Sequence, residues 1–391
     1  MNQQTQDFIR KNINEDIHSL ILKGSSSDDV DFLLAVRQIE GMQKVKNKIP
    51  AFFNHPDVLY PQKLSIEQSS SEITAKYKSS ICEGDKLVDL TGGFGIDCCF
   101  MSDNFKKSVY VERQEELCEL AKHNFSVLNK LQIEVYCSST EFFLEKDFTT
   151  DWIFIDPARR KEGGAKAVLL SDCEPNVAEL QHTLLAKAEN VMIKLSPMFD
   201  IAQLQRELTC VKEIHIIAVE NECKEILVVL KRNFIGNINI KSVHFHKRKD
   251  VELLEFTEED EKNCHSNYSD TVGKYIYEPN TALLKAGAFK TTGKRFNIDK
   301  LHINSHLYTS EELNKNFQGR KFQVKQVILF NKEDLKKLKL SKANISVRNF
   351  PLSVDEIRKK LKIKEGGNDY IFATTLQYEK KVLIWCNKID D

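Results

Sequence analysis

"LVDLTGGFGID", residues 87–97, decides the fold. Leu87 and Val88 read as the end of a short buried strand, and Asp89 closes it. Gly93 and Gly95 then turn the chain into a helix. Glycine lets backbone come close to a ligand, and the start of a helix favours negative charge. Outward from this stretch, strand and helix alternate. "SVYVE" (108–112) is a second strand. "RQEELCELAKHNFSVLN" (113–129) is a helix with Leu117, Leu120, Ala121, Phe125 and Leu128 on one stripe. "IEVYC" (133–137), "WIFID" (152–156) and "NVMIKLSP" (190–197) are further strands, with a helix over 176–188 before the last. "KEIHIIAVENECKEILVVLKR" (212–232) gives two more, close enough for an antiparallel hairpin at one edge. The spacing predicts an α/β, doubly wound sheet.

Composition bounds the rest. Of 391 residues, 41% are hydrophobic, enough for a sizeable core and for two or three domains. No run of 18 apolar residues predicts a membrane span. "MNQQTQDFIRKNINEDIHSL" contains acidic residues and lacks the apolar stretch of a secretory signal. Ten cysteines without a CxxC pair argue against a zinc ribbon, so no metal is expected. Adjacent Cys98 and Cys99 read as buried free thiols of a cytoplasmic protein. Net charge is zero, but from residue 280 onward 23 Lys/Arg stand against 12 Asp/Glu, an excess of 11. A basic C-terminal third suits a polyanion; a solvated lysine-rich surface is the alternative.

Residues 1–80 read as helical. Val30, Leu33, Leu34, Val36, Ile39 and Met42 follow a 3.6 period, with Asp28 or Asp29 as the cap. A further helix is expected from about Ser70 to Ser79. Residues 250–275 read as an irregular linker, and "YIYEPNTALLKAGAF" (275–289) restarts order. Residues 301–310 could start as a strand. "KFQVKQVILF" (321–330) and "ANISVRNF" (343–350) are strands, "NKEDLKKLKL" (331–340) a basic helix, and "SVDEIRKKLKI" (353–363) a helix capped by Ser353. Residues 369–388 form a hairpin.

Three groups of residues carry chemistry. Beside the glycine turn, Glu112 ends the second strand, where a carboxylate can accept hydrogen bonds from ribose hydroxyls. The alternative is a tight turn and a surface glutamate. "DPARR" (156–160) ends the fourth strand with one carboxylate and two guanidiniums; Pro157 stops the strand because it has no N–H to give. Lys194 and Ser196 end the fifth strand in "IKLSPMFD" (193–200).

The T-G-G-F-G run, with an acid four residues before Gly93, resembles motif I of the class I S-adenosylmethionine-dependent methyltransferases. The resemblance implies that Asp89, Thr91, Gly93, Gly95 and Glu112 hold the cofactor, with Thr91 in place of the usual first glycine. Ser139 and Thr140 stand where many members carry an acid–small pair on adenine. Asp156, Pro157 and Arg159 match the D-P-x-R form of the motif beside the methyl group. It implies that Asp156 orients the acceptor and Lys194 assists electrostatically. Arg159 and Arg160 would contact phosphate. The cysteine nucleophile of the 5-methylpyrimidine RNA enzymes is missing, which argues against covalent catalysis; Cys173 is the nearest substitute.

Together, "EQSSSEITAKYK", "DLTGGFGID", "DPARR", "KLSP" and "YEPNTALLKAGAF" resemble a bacterial methyltransferase family with a THUMP-like C-terminal domain. This implies a Rossmann-like class I core over 81–275, a helical N-terminal region over 1–80, and small α+β domains. These are a ferredoxin-like one over 276–320 and a THUMP-like one over 321–391. It also implies an RNA substrate, tRNA or rRNA, guided partly by Lys336, Lys337 and Lys339. A small-molecule or protein methyltransferase, or a catalytically degenerate RNA-binding protein, are the alternatives.

Overall fold

The computed structural model describes residues 1–25, 27–159, 169–246 and 250–389. Two compact units divide the chain: residues 1–212 with 227–235, and residues 213–226 with 236–391.

The first unit opens with six helices: Gln3–Asn12, Ile17–Lys23, Phe32–Lys48, Pro50–Phe53, Lys63–Gln68 and Glu72–Ile81. Polar residues set their starts. The long third helix begins at Asp31, not at Asp28 or Asp29, because the Asp31 carboxylate reaches the Leu34 N–H at 3.1 Å. Ser71 caps the sixth helix through Thr74 N–H. Val45, Ile49, Phe52 and Tyr60 from these helices share one core with Phe94, Ile96, Tyr110 and Phe125. Phe52 meets Phe94 edge-on at 5.5 Å. The third to sixth helices thus share their core with the glycine turn, while Ile9 and Leu20 of the first two pack on Ala35 and Ile39 of the third.

Seven strands follow: β1 (Gly84–Asp89), β2 (Phe105–Glu112), β3 (Ile133–Cys137), β4 (Thr150–Ile155), β5 (Ala158–Arg159), β6 (Cys173–Glu174) and β7 (Ala188–Leu195). The sheet runs β7-β4-β1-β2-β3, all pairs parallel, while β5 and β6 form a separate two-residue antiparallel ladder. β4 and β7 end in buried runs, apolar except for Lys194 in β7, as strands covered on both faces do. Strand order reverses between β1 and β4. At such a switch point the strand ends open a crevice.

β8 (Val211–Val219) and β9 (Glu222–Lys231) form the expected hairpin, but not at an edge: two further strands continue the sheet beyond β8. Glu220 and Asn221, both at positive φ, make its two-residue turn. In the second unit β10 (Asn239–Phe245) lies parallel to β8 and antiparallel to β11 (Glu252–Thr257). The expected linker over 250–275 thus holds a strand, and a short helix, Glu258–Asn263, follows it. Only Leu254 and Phe256 of that strand are buried, so its pattern is half polar. Thr257 and Asp260 then cap the helix reciprocally.

A second sheet contains β12 (Tyr275–Pro279), β13 (Asp299–Lys300), β14 (Tyr308–Ser310), β15 (Gly319–Leu329), β16 (Asn344–Arg348), β17 (Asp369–Thr375) and β18 (Lys381–Ile389). Its order is β13-β14-β12-β15-β18-β17-β16. Residues 301–310 form a strand only at their end, in β14. The basic helix of 331–340 shortens to Lys332–Leu335, and the Ser353-capped helix forms over Val354–Leu361.

Candidate functional site

The ends of β1, β2, β4 and β7 bring Asp89, Glu112, Asp156 and Lys194 to one edge of the first unit's sheet. Asp89 is buried, and its Oδ1 accepts the Thr91 N–H at 3.0 Å. Burial pushes its carboxyl well above the usual range; the Thr91 N–H opposes this, and the Asp97, Asp156 and Glu112 carboxylates add to it. Thr91 accepts the Asp156 N–H on its hydroxyl at 2.6 Å, tying the ends of β1 and β4 together.

The glycines divide the work of the turn. Gly93 has φ +53, and a Cβ built on it would meet only the Thr91 carbonyl oxygen, at 3.9 Å; the space before it is open. Gly92 is closed: a Cβ there would lie 2.1 Å from the Tyr110 ring. Gly95, at φ +86, caps the helix Ile96–Met101. Glu112 accepts the Gly93 N–H and the Gln114 N–H, each at 2.9 Å and each on a different oxygen. Tyr110 donates its hydroxyl to the Gly93 carbonyl at 2.6 Å. Of these, Gly92 and Tyr110 carry no signal in the sequence, because a helix separates them and only the pairing of β1 with β2 brings them together.

Ser139 and Thr140 sit after β3 and have local work. Ser139 caps the helix Thr140–Leu144 through the Phe142 N–H, and Thr140 donates its hydroxyl to the Leu90 carbonyl at 2.7 Å.

On the other side of β1, Lys194 donates to Asp156 Oδ2 at 2.5 Å. Asp156 is 36% exposed at its side chain, and among the described residues its Oδ1 takes no hydrogen bond. Pro157 is buried behind it. Lys194 also lies 3.6 Å from Asp97 Oδ2. Asp97 in turn pairs with the fully buried Lys78 at 3.2 Å and accepts the Ser70 hydroxyl at 2.7 Å. Burial opposes charge on Asp97, but Lys78, Lys194 and the Ser70 hydroxyl together hold its carboxyl below the usual range. Sequence reasoning missed Asp97, Lys78 and Ser70. One signal was available: Lys78 shares the buried stripe of its helix with Thr74 and Ala75, and a lysine on an apolar stripe requires a buried carboxylate.

The remaining candidates lie elsewhere. Arg159 contributes backbone to the ladder with Cys173, and Arg160 falls outside the described residues. Cys173 is fully buried. Lys336, Lys337 and Lys339 are exposed in the second unit, where Lys337 pairs with Asp334. All ten cysteines are free, with Cys98 and Cys99 buried. No helix among the described residues is long and apolar enough to cross a membrane.

One trio in the second unit has metal-ligand types in proximity: His244, His246 and Glu252. Its hydrogen bonds give it another use. His244 accepts the Asn221 N–H on Nε2 at 2.8 Å, so its proton sits on Nδ1, 2.9 Å from Glu252. Binding a metal through Nδ1 would move that proton to Nε2, against a backbone donor. Asn280 also donates to Glu252, and the trio fastens β10 and β11 to the segment that follows β12.

The ferredoxin-like domain family model matches residues 275–317, and the THUMP domain-like model matches residues 319–388. The chain is 35% identical to a protein of Porphyromonas gingivalis W83 whose crystal structure was assigned as a methyltransferase. That alignment covers 99% of this chain and 98% of that one, with a TM-score of 0.87. Partial likenesses extend to an rRNA methylase from Streptococcus thermophilus (16% identity, 41% of this chain and 94% of that one, TM-score 0.30). A Streptococcus mutans protein assigned to the methyltransferases, solved with SAH, gives 14% identity over 41% of this chain and 96% of that one, TM-score 0.32. No curated protein matches the chain.

Proposed function

The chain belongs to the methyltransferase family that joins a ferredoxin-like domain to a THUMP-like domain, and from that premise we propose that it transfers a methyl group from S-adenosylmethionine to a base of structured RNA, tRNA or rRNA. The observation that carries this reading is the pairing of an open glycine cradle with the half-exposed Asp156–Lys194 pair, both at the strand ends of one switch point.

The residues fit the cofactor. The space before Gly93 is what a Cβ would fill. Glu112 uses one lone pair on each oxygen for backbone N–H groups, and an ionised carboxylate has about four such sites, leaving acceptors for ribose hydroxyls. Buried Asp89 and Thr91 shape the floor for the amino-acid part, with Gly95 turning the chain; Ser139 and Thr140 border the adenine side. S-adenosylmethionine supplies an already activated methyl group, so the protein's task is positioning. Asp156 accepts an N–H or O–H from the acceptor through its open oxygen. Lys194 holds that carboxylate in place by a charge-assisted hydrogen bond. Pro157 fixes the backbone, and we assign Arg159 and Arg160 to phosphate contacts.

The basic excess after residue 280 supports RNA, with Lys336, Lys337 and Lys339 as phosphate contacts. We assign 1–80 to the wall of the cofactor site, 81–275 to the core, 276–320 to the ferredoxin-like domain and 321–391 to the THUMP-like domain, in a cytoplasmic enzyme. Calorimetric titration with S-adenosylhomocysteine tests the cofactor site: micromolar binding is expected, abolished by Asp89→Ala. No binding up to millimolar ligand would overturn it.

A further inference from the structure

Four charged side chains form an alternating chain across the first unit: Lys78, Asp97, Lys194 and Asp156. Their spacings are 3.2 Å, 3.6 Å and 2.5 Å. Its inner end is fully buried at Lys78, and its outer end is the half-exposed Asp156. Lys78 and Ser70 belong to the N-terminal helical region, Asp97 to the helix after the glycine turn, and Lys194 and Asp156 to the ends of β7 and β4.

We propose that Asp97 is a positioning residue for the acceptor side of the site: anchored by Lys78 and Ser70, it fixes the Lys194 ammonium against Asp156. The proposal rests on the methyl-transfer reading above.

Two physical considerations support it. A lysine has four rotatable bonds and a compact charge, so one carboxylate at its tip does not select one position. Asp97 is a second carboxylate within 3.6 Å, on a different element from Asp156, and it confines the ammonium between two fixed points. Packing alone does not account for the cluster either. Desolvation makes a buried ion pair a poor stabiliser, and apolar residues of similar volume would dock the N-terminal helix as well or better. A buried pair whose far end reaches a half-exposed carboxylate in a strand-end crevice instead serves the crevice. Asp97 Oδ2 takes both the Ser70 hydroxyl and the Lys194 contact, so rotating this carboxylate would disturb both.

Asp97→Asn alone takes a carboxylate away from the fully buried Lys78 and can fail to fold. The decisive variant is therefore the double change Asp97→Asn with Lys78→Met, checked by thermal melting and by S-adenosylhomocysteine titration. With tritium-methyl S-adenosylmethionine and total bacterial RNA, the double variant is expected to keep cofactor affinity within about threefold of wild type and the KM for RNA unchanged. Its kcat should drop about 10- to 100-fold, with a displaced pH–rate profile. Asp97→Glu should restore part of kcat. A folded double variant with unchanged kcat and pH profile would overturn the proposal.

A second measurement does not depend on turnover. Acetylation of Lys194 by an N-hydroxysuccinimide ester, followed by mass spectrometry, should be slow in wild type and about tenfold faster in the double variant. Equal labelling would refute the positioning role whatever the RNA assay gives. Absence of methyl transfer by wild type, with the labelling difference present, would instead count against the RNA reading alone.

Discussion

Replacing Gly92 and Gly93 by alanine, one at a time, separates packing from ligand binding at adjacent positions. A methyl at Gly92 would sit 2.1 to 2.4 Å from three carbons of the Tyr110 ring. That ring cannot withdraw. Tyr110 is fully buried, its hydroxyl is bonded to the Gly93 carbonyl at 2.6 Å, and it packs edge-on against Phe125 at 5.5 Å. Overpacking of a fixed core costs about 1–3 kcal/mol, and a clash this close belongs at the upper end, about 3 kcal/mol. For a unit of about 200 residues this lowers the melting temperature by about 6–12 °C. At Gly93 nothing clashes, and the cost is the left-handed backbone, about 1–2 kcal/mol, or about 2–8 °C. The methyl there enters the cradle, so S-adenosylhomocysteine affinity should fall at least about tenfold, a loss of about 1.4 kcal/mol. Differential scanning calorimetry and titration at 15 °C read both effects. If Gly92→Ala melts like wild type, the packing account fails; if Gly93→Ala binds like wild type, the cradle is misplaced.

Asp89 predicts a pH dependence. Its raised carboxyl pKa in the folded state means the fold binds that proton more tightly than the unfolded chain does. Stability from that proton is present at low pH and declines as pH rises above about 4, toward the folded pKa. Asp89→Asn should therefore gain stability relative to wild type as melting is followed from pH 4 to pH 8, and a constant gap would contradict this. Glu278→Gln should destabilise the second unit by about 1–2 kcal/mol, since it takes the charge out of hydrogen bonds to the partly exposed Arg320 and Arg348; urea unfolding measures it, and a change below about 0.5 kcal/mol would refute the pairing's importance. Reversing Lys336, Lys337 and Lys339 to glutamate should weaken RNA binding and flatten its salt dependence by about one log unit for each phosphate no longer neutralised. An unchanged salt slope would remove these lysines from the interface.

Much of the core was legible because its signals are local. The strand, the glycine turn and the acid that ends β2 all fall within the single βαβ stretch 84–112, and periodicity gave the main strands from 84 to 231, though not the short helices Thr140–Leu144 and Ile201–Glu207. The THUMP-like end showed its Ser353 capping box within one helical turn. What escaped is non-local or ambiguous. β11 alternates with glutamates and an exposed Leu253, so it reads as a polar linker. Asp97 stands inside the most informative stretch of the chain, but its partner Lys78 lies on the helix before β1 and Lys194 at the far end of β7. Only the fold shows that these charges meet. Ser139 and Thr140 show a second kind of non-local information: their hydroxyls cap a helix and tie a loop to Leu90, contacts that motif position alone does not reveal.

The most direct test of the central claim is methyl transfer itself. Purified protein, tritium-methyl S-adenosylmethionine and fractionated bacterial RNA would be compared for wild type and Asp156→Ala. The account predicts label in one RNA class with wild type, and about a hundredfold less with the variant, which should still bind S-adenosylhomocysteine. Wild type that binds cofactor and labels no RNA fraction, or Asp156→Ala that labels as fast as wild type, would contradict it.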